Sequence, residues 1–260
     1  MQDITPSPNQ TLSSPLIKWI PSIFYRPRRI FENLTNSKRR YWLAPMLVLM
    51  VTILGNVLVS GWLKQQIATM GQDSLPADFQ YYSPEQQTQY MQAMQVTQGP
   101  VFVYILPALA ALSGLWLSWL AIGGLLYLTT TLFGGRGDML ISLNVTAWAG
   151  LPMALRDIIR IVAMLVSKQL ISHPGLSGFA YTPDSNSSIF WGQVLSQIDI
   201  YLIWVVFLIV LGLRLTSNIS LGKAISCVAI SVLSVFLIRA LIGLAVAKFG
   251  GLNVVRPFFF

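Results

Sequence analysis

Charged residues are scarce in this sequence. Asp, Glu, Lys and Arg make up 10% of its 260 residues, whereas an average soluble domain has about 25%. Apolar residues account for 54% of the chain, and the mean hydropathy is +0.63. These values exclude an ordinary soluble domain and predict a single integral membrane domain.

Cysteine and histidine are almost absent. Cys227 is the one cysteine and His173 the one histidine, so no intrachain disulfide can form and too few ligands remain for a transition-metal site. The phosphate-binding pattern GxxxxGK(S/T) is missing as well, so nucleotide hydrolysis is not expected. We therefore predict that the protein is not an enzyme and has no catalytic residue, no cofactor and no metal site.

Two short segments match motifs of intramembrane proteases. Residues 135–138 (GRGD) fit the GxGD pattern of aspartyl proteases, but Asp199, the candidate second aspartate, is expected much of a bilayer away. Residues 175–178 (GLSG) fit the GxSG pattern of rhomboid-type serine proteases, but the only candidate base, His173, lies in the same polar loop. Both segments are interpreted as chance matches.

The N-terminal region has no apolar leader. Residues 1–15 are polar and rich in proline and serine, which predicts a disordered tail and no secretory signal. In residues 16–35, aromatic and aliphatic residues alternate with arginines, which predicts an interfacial helix with basic groups over anionic lipid headgroups. The predicted lipid-interface basic residues are Arg26, Arg28, Arg29, Lys38, Arg39 and Arg40. A solvated linker with chance apolar residues is the alternative.

Five apolar stretches are long enough to cross a bilayer, which takes about 20 residues per helix. They cover residues 41–63, 101–133, 140–170, 191–215 and 224–249. The predicted fold class is all-α: a polytopic bundle of five transmembrane helices preceded by the interfacial helix, forming one domain over residues 16–260. The lipid bilayer is therefore the first predicted partner.

Positive charge predominates, with a formal net charge of +8. The segments 1–40, 134–139 and 214–223 hold ten lysines and arginines, whereas the segments 64–100, 171–190 and 250–260 hold two. The positive-inside rule therefore predicts a cytoplasmic N-terminus and an extracytoplasmic C-terminus. Because this bias explains the basic residues, no nucleic acid partner is expected.

Ionisable residues inside the predicted spans form the candidate site, because charge in a bilayer is costly unless it faces protein or water. Arg156, Asp157 and Arg160 lie in the third span, Asp199 in the fourth and Arg239 in the fifth, at similar predicted depths. We predict an intramembrane charge cluster in which the aspartates neutralise the arginines. One positive charge is left over, which an anionic lipid headgroup or solute could neutralise. Purely structural ion pairing is the alternative.

Pro152 interrupts the third span. Proline has no N–H to donate to the carbonyl of Trp148, and its ring crowds the preceding turn. The helix is therefore predicted to bend or loosen between Trp148 and Pro152, and Gly150 eases this distortion.

Several segments together resemble the bacterial branch of the Yip family, which are five-span membrane proteins named for their interaction with Ypt/Rab GTPases in eukaryotes. The segments are residues 23–31 (IFYRPRRIF), 41–45 (YWLAP), 132–137 (LFGGRG), 147–152 (AWAGLP), 198–204 (IDIYLIW), 211–214 (LGLR) and 223–224 (KA). The resemblance implies a non-enzymatic scaffold in a bacterial plasma membrane. Some bacterial members are associated with ABC exporters. The sequence lacks the acidic DLYGP-type motif of eukaryotic members, so binding of a GTPase is not expected.

The leading hypothesis is an accessory or scaffold subunit of another membrane protein, such as an ABC exporter. The alternative is a small transporter or channel subunit with a charged intramembrane pocket, which the buried charges and the break at Pro152 would suit. A continuous polar cavity reaching both sides of the membrane would favour the alternative, whereas a closed bundle would favour the scaffold.

Overall fold

The computed structural model describes residues 18–35, 39–69, 79–171, 174–180, 191–192 and 194–249. Every regular element within these residues is a helix, which confirms the predicted all-α fold class. The predicted disordered tail (residues 1–15) and Lys38 lie outside the described residues.

The predicted interfacial segment forms two short helices, α1 (Trp19–Tyr25) and α2 (Pro27–Thr35). Pro27 occupies the first position of α2, where its missing N–H costs little. The apolar faces of both helices pack against the protein itself, and the side chains of Ile23, Phe31 and Leu34 are fully buried. The apolar faces of the two helices therefore contribute to the core, and their location at the lipid interface stays a prediction.

The long helices are α3 (Leu43–Thr69), α5 (Leu106–Leu132, preceded by the π-helical turn Val101–Ile105), α8 (Ile200–Ser217) and α9 (Leu221–Phe249). Between α3 and α5 lies α4 (Pro84–Gln98), which starts with a capping box. Ser83 Oγ accepts a hydrogen bond from the backbone N–H of Gln86, and Gln86 Oε1 accepts one from the N–H of Ser83.

Four helices among the described residues are long and apolar enough to cross a membrane. They are Leu43–Ile67, Val101–Leu132, Ile200–Ser217 and Leu221–Gly243. The remaining predicted span, residues 140–170, consists of two helices, and the total of five spans stays a prediction.

These two helices are α6 (Met139–Ala149) and α7 (Leu151–Ser167), which meet at Gly150. Pro152 lies in the first turn of α7, where proline is tolerated. Gly150 keeps helical backbone angles, with φ −73° and ψ −15°, and its N–H donates to the carbonyl of Thr146. The interruption is thus a local loosening of one helical path rather than a reversal of direction.

Helix α8 begins later than the predicted fourth span, which starts at Trp191. Residues 197–199 leave the helical conformation, and Asp199 adopts an extended backbone as the N-cap of α8. Its Oδ1 accepts a hydrogen bond from the backbone N–H of Leu202 at 2.8 Å. Aspartate competes well for the free N–H groups at a helix start, which explains why the helix begins at Ile200.

The two ends of the bundle differ in character. The basic end is the end at which α3 begins and at which α5 turns into α6 through residues 133–138. Gly134 has a positive φ of 80° in this turn, and Asp138 caps α6 by accepting from the N–H of Leu140. The loop end, at which α3 ends, carries Lys64 and α4. Most of the largest fully buried side chains, including Trp148 and Leu213, lie toward the basic end.

Candidate functional site

A cavity of about 160 Å³ lies between α3, the start of α5 and α7, toward the loop end of the bundle. We call it the charged cavity. Its polar and charged lining residues are Asn56, Ser60, Lys64, Arg156, Asp157 and Arg160, and its apolar lining includes Ile53, Val57, Val103, Pro107 and Met164. The cavity therefore combines several charges with mostly aliphatic walls.

Helix α3 contributes Asn56, Ser60 and Lys64, which follow each other at four-residue spacing and so share one face of the helix. Ser60 Oγ lies 3.2 Å from Asn56 Oδ1 and 3.6 Å from the sulfur of Met164 on α7, and donates toward both. Lys64 lies one residue beyond the predicted end of the first span, and sequence reasoning missed it. It joins the cavity wall because α3 continues to Thr69.

Helix α7 contributes both signs of charge. Arg156 Nε lies 3.4 Å from Asp157 Oδ1, and the side chains of these residues are 16% and 4% exposed. Arg160 follows one turn later, and its side chain is 15% exposed. These three side chains therefore face the protein interior and not the surrounding lipid, although they lie in the middle of a long helical segment.

Asp199 approaches the same arginines from the start of α8. Its Oδ2 lies 3.5 Å from Arg156 Nη1 and 3.8 Å from Arg160 Nη2. The side chain of Asp199 is 12% exposed, and its Oδ2 accepts no hydrogen bond within the described part of the chain. The carboxylate of Asp199 thus caps α8 through Oδ1 and pairs with the two arginines of α7 through Oδ2.

Arg239 of α9 makes a different contact. Its Nη2 donates to Ser118 Oγ on α5, and the residue does not line the charged cavity. It lies near enough to Arg156 for the two positive charges to interact. Four of the five residues proposed from the sequence form ion pairs with one another, namely Arg156, Asp157, Arg160 and Asp199.

An apolar layer closes the charged cavity on the side of the basic end. Met46, Leu49, Trp119, Ala147 and Ala154 form one buried cluster between α3, α5, α6 and α7. Trp119 is fixed by a hydrogen bond from its Nε1 to the carbonyl of Leu143 at 3.0 Å. These apolar side chains therefore lie between the charged cavity and the basic end.

Gly61 sets the spacing between α3 and the π-helical turn before α5. A Cβ at this position would clash with the ring of Tyr104 and touch Val103. The phenol of Tyr104 donates to Gln65 Oε1 at 2.9 Å, which ties the two segments together. The close approach brings Val103 into the cavity wall.

The structure does not bring together Asp138 and Asp199, the two aspartates that an aspartyl protease would need. Asp138 caps α6 at the basic end, whereas Asp199 caps α8 next to the charged cavity. Ser177 Oγ donates to the carbonyl of Pro174 at 2.7 Å, and His173 lies outside the described residues. Among the residues that the structure describes, no group of three or more His, Cys, Asp or Glu side chains is placed to hold a metal ion.

The basic residues of the N-terminal region lie on the outside of the protein. Arg26, Arg28, Arg29, Arg39 and Arg40 are all exposed. Arg28 Nε pairs with Glu32 Oε1 at 2.8 Å on the outer face of α2. Trp19 of α1 packs against Tyr41, just before the start of α3, with ring centroids 5.3 Å apart and the rings tilted by 38°.

An all-helical bundle with several helices that are long and apolar enough to cross a membrane defines a multi-pass membrane protein. The family model of the Yip1 domain matches residues 22–244, and the chain therefore belongs to the Yip1 family. No curated protein and no solved structure gives a significant match to the chain.

Proposed function

We propose that this Yip1-family protein is a non-enzymatic accessory subunit that packs against another membrane protein, with an ABC exporter as the first candidate. The observation that carries this proposal is the apolar layer of Met46, Leu49 and Trp119 beneath the charged cavity. A solute crossing the bundle would have to pass through this layer, so a binding or scaffolding role requires less rearrangement than transport does.

The partner would dock at the basic end, beside α1 and α2. The buried side chains of Ile23, Phe31 and Leu34 hold these helices on the bundle, so the backbone that carries the outer arginines is already ordered. A surface that is already ordered loses little conformational entropy on binding. The family membership agrees with a role in interactions between membrane proteins.

The proposed location is a bacterial plasma membrane, with the basic end and the N-terminus in the cytoplasm and the C-terminus outside. The support for this orientation is the excess of lysine and arginine in the segments at the basic end. In this orientation Arg26, Arg28 and Arg29 lie near the anionic headgroups of the cytoplasmic leaflet, where each basic residue contributes about 1 kcal/mol of attraction.

Co-purification from native membranes tests the accessory role. The full chain is extracted in mild detergent, and the co-purifying proteins are identified and quantified by mass spectrometry. Arg29→Glu on the outer face of α2 should reduce recovery of a membrane-protein partner several-fold. The matched control is Arg136→Glu, which changes an exposed arginine in the turn between α5 and α6. A list of proteins identical to that recovered with an unrelated membrane protein would contradict the proposal.

A small transporter or channel subunit is the second candidate, and the charged cavity is the observation that favours it. The cavity holds arginines and an aspartate within predicted membrane-crossing segments, where such residues mark solute paths in other proteins. Transport would require the layer around Trp119 to open. Flux of an anionic solute into proteoliposomes that contain only this protein would favour this candidate over the accessory role.

A further inference from the structure

We propose that the charged cavity binds an oxyanion, that is, the phosphate or carboxylate group of a ligand. The proposal is independent of the accessory role, because it depends only on the cavity. Three cations line the cavity, namely Lys64, Arg156 and Arg160, against one lining carboxylate, Asp157. When Asp199 is counted as well, the described residues around the cavity carry one more positive than negative charge.

The ion pairs leave donor capacity for such a ligand. Asp199 Oδ2 is 3.5 Å from Arg156 and 3.8 Å from Arg160, whereas charge-assisted hydrogen bonds have lengths of about 2.7–2.9 Å. Each guanidinium carries five N–H groups, more than the neighbouring carboxylates engage at these distances. A tetrahedral phosphate or a planar carboxylate could therefore accept hydrogen bonds from both arginines without displacing Asp199.

The size and the walls of the cavity agree with this ligand class. Its volume is about 160 Å³, and a cavity of about 150 Å³ in another protein accommodates a benzene molecule, which is larger than a phosphate group. The aliphatic residues Val57, Val103 and Pro107 lower the local dielectric, which strengthens the attraction between a bound anion and the arginines. The polar side chains of Asn56 and Ser60 add further hydrogen-bonding groups on α3.

Two sources could supply the oxyanion: the headgroup of an anionic lipid and free phosphate. The full-length protein, purified in an uncharged detergent, is heated while its tryptophan fluorescence is recorded. The probes are phosphatidylglycerol, phosphatidylcholine and inorganic phosphate. A probe that binds, and whose free concentration is 100 times its dissociation constant, should raise the unfolding temperature by about 5 °C. We expect this shift with phosphatidylglycerol and no shift with phosphatidylcholine.

Variants connect the shift to the cavity. Lys64→Gln and Arg160→Gln should lose it, whereas the matched control Arg136→Gln, in the exposed turn between α5 and α6, should keep it. Because Arg160→Gln leaves a partly uncompensated carboxylate and could fail to fold, Ser60→Leu provides a second test. This change fills the cavity and leaves its charges in place, so it should also abolish the shift.

The outcomes are distinct. A shift with phosphatidylglycerol alone supports a lipid headgroup, and a shift with inorganic phosphate as well supports the same site with a free phosphate. A shift that persists in Ser60→Leu and Lys64→Gln, or no shift with any probe, would overturn the proposal. Native mass spectrometry of the wild type and Ser60→Leu then counts the bound lipids, and equal retention of phosphatidylglycerol in both would also overturn it.

Discussion

Asn144 caps the start of α3 from a different helix: its Oδ1 accepts a hydrogen bond from the backbone N–H of Trp42 at 2.9 Å. Its Nδ2 donates to the carbonyl of Arg39 at 3.0 Å, and the residue is fully buried. The first N–H groups of a helix have no acceptor within the helix. The side chain of Asn144 supplies such an acceptor at the start of α3.

Replacing Asn144 with leucine should lower the free energy of unfolding by about 1–3 kcal/mol, because a backbone N–H and a backbone carbonyl, both in part-buried hydrogen bonds, lose Asn144 as their partner. Thr131→Ala is the control, since its exposed hydroxyl donates only to a carbonyl of its own helix. Titration with dodecyl sulfate in mixed micelles, followed by tryptophan fluorescence, measures both variants. Equal stability of Asn144→Leu and the wild type would show that the cap contributes little.

Gly212 on α8 permits the close approach of α2 and α6. A Cβ at this position would lie 2.7 Å from Val145 Cγ1 and 3.0 Å from the ring of Phe31. Gly212→Ala should therefore destabilise the protein by about 1–3 kcal/mol through overpacking. Gly124→Ala is the matched control, because nothing lies within 4 Å of the added Cβ, and it should be neutral or slightly stabilising. The same detergent titration distinguishes the two, and similar effects would argue against tight packing of α2.

Asp138 and Asp199 both cap a helix, but only Asp199 also forms ion pairs. Comparing the two therefore separates the stability contributed by the ion pairs from that contributed by the cap. Asp138→Ala removes only a cap and should cost about 0.5–2 kcal/mol. Asp199→Ala removes a cap, leaves Arg160 without the carboxylate that it pairs with and leaves Arg156 with Asp157 alone, which should cost about 3–5 kcal/mol. Thermal unfolding in detergent compares the variants. If both variants lose the same stability, the ion pairs with Arg156 and Arg160 are energetically unimportant.

Accessible cysteines test the predicted orientation. In a Cys227→Ala background, Gln89→Cys on α4 should react with an impermeant thiol reagent on intact cells. Gly222→Cys, at the start of α9, should react only after the cells are permeabilised. Both positions are exposed in the structure, so burial cannot explain a failure to react. The reverse labelling pattern would mean that the N-terminus is extracytoplasmic.

The helical type of the long apolar stretches could be predicted from the sequence, because apolar runs of this length have few other stable structures, and four of the five predicted stretches overlap a helix long enough to cross a membrane. The position of α1 and α2 could not. An amphipathic helix that faces lipid and one that faces protein have the same pattern, since both environments are apolar. Only the structure reveals that Phe31 lies against Gly212 and Phe24 against Trp204.

The candidate site was partly predictable for a similar reason. Charges in an apolar run indicate a site, and this signal identified Arg156, Arg160 and Asp199. The same signal could not place Asp199 at a helix start, because an aspartate within a span and a capping aspartate look identical in sequence. Lys64 carried a weaker signal, since a lysine next to the end of an apolar run usually lies in the headgroup region.

The buried side chains are unevenly distributed between the two ends of the bundle, and this determines where local unfolding should begin. Local unfolding and amide hydrogen exchange begin where few apolar contacts hold the backbone. The loop end contains the charged cavity, whereas the basic end contains Trp148, Phe31 and Leu213 in close packing. The two ends should therefore behave as separate cooperative units, with the loop end exchanging first and the basic end surviving as a folded remnant.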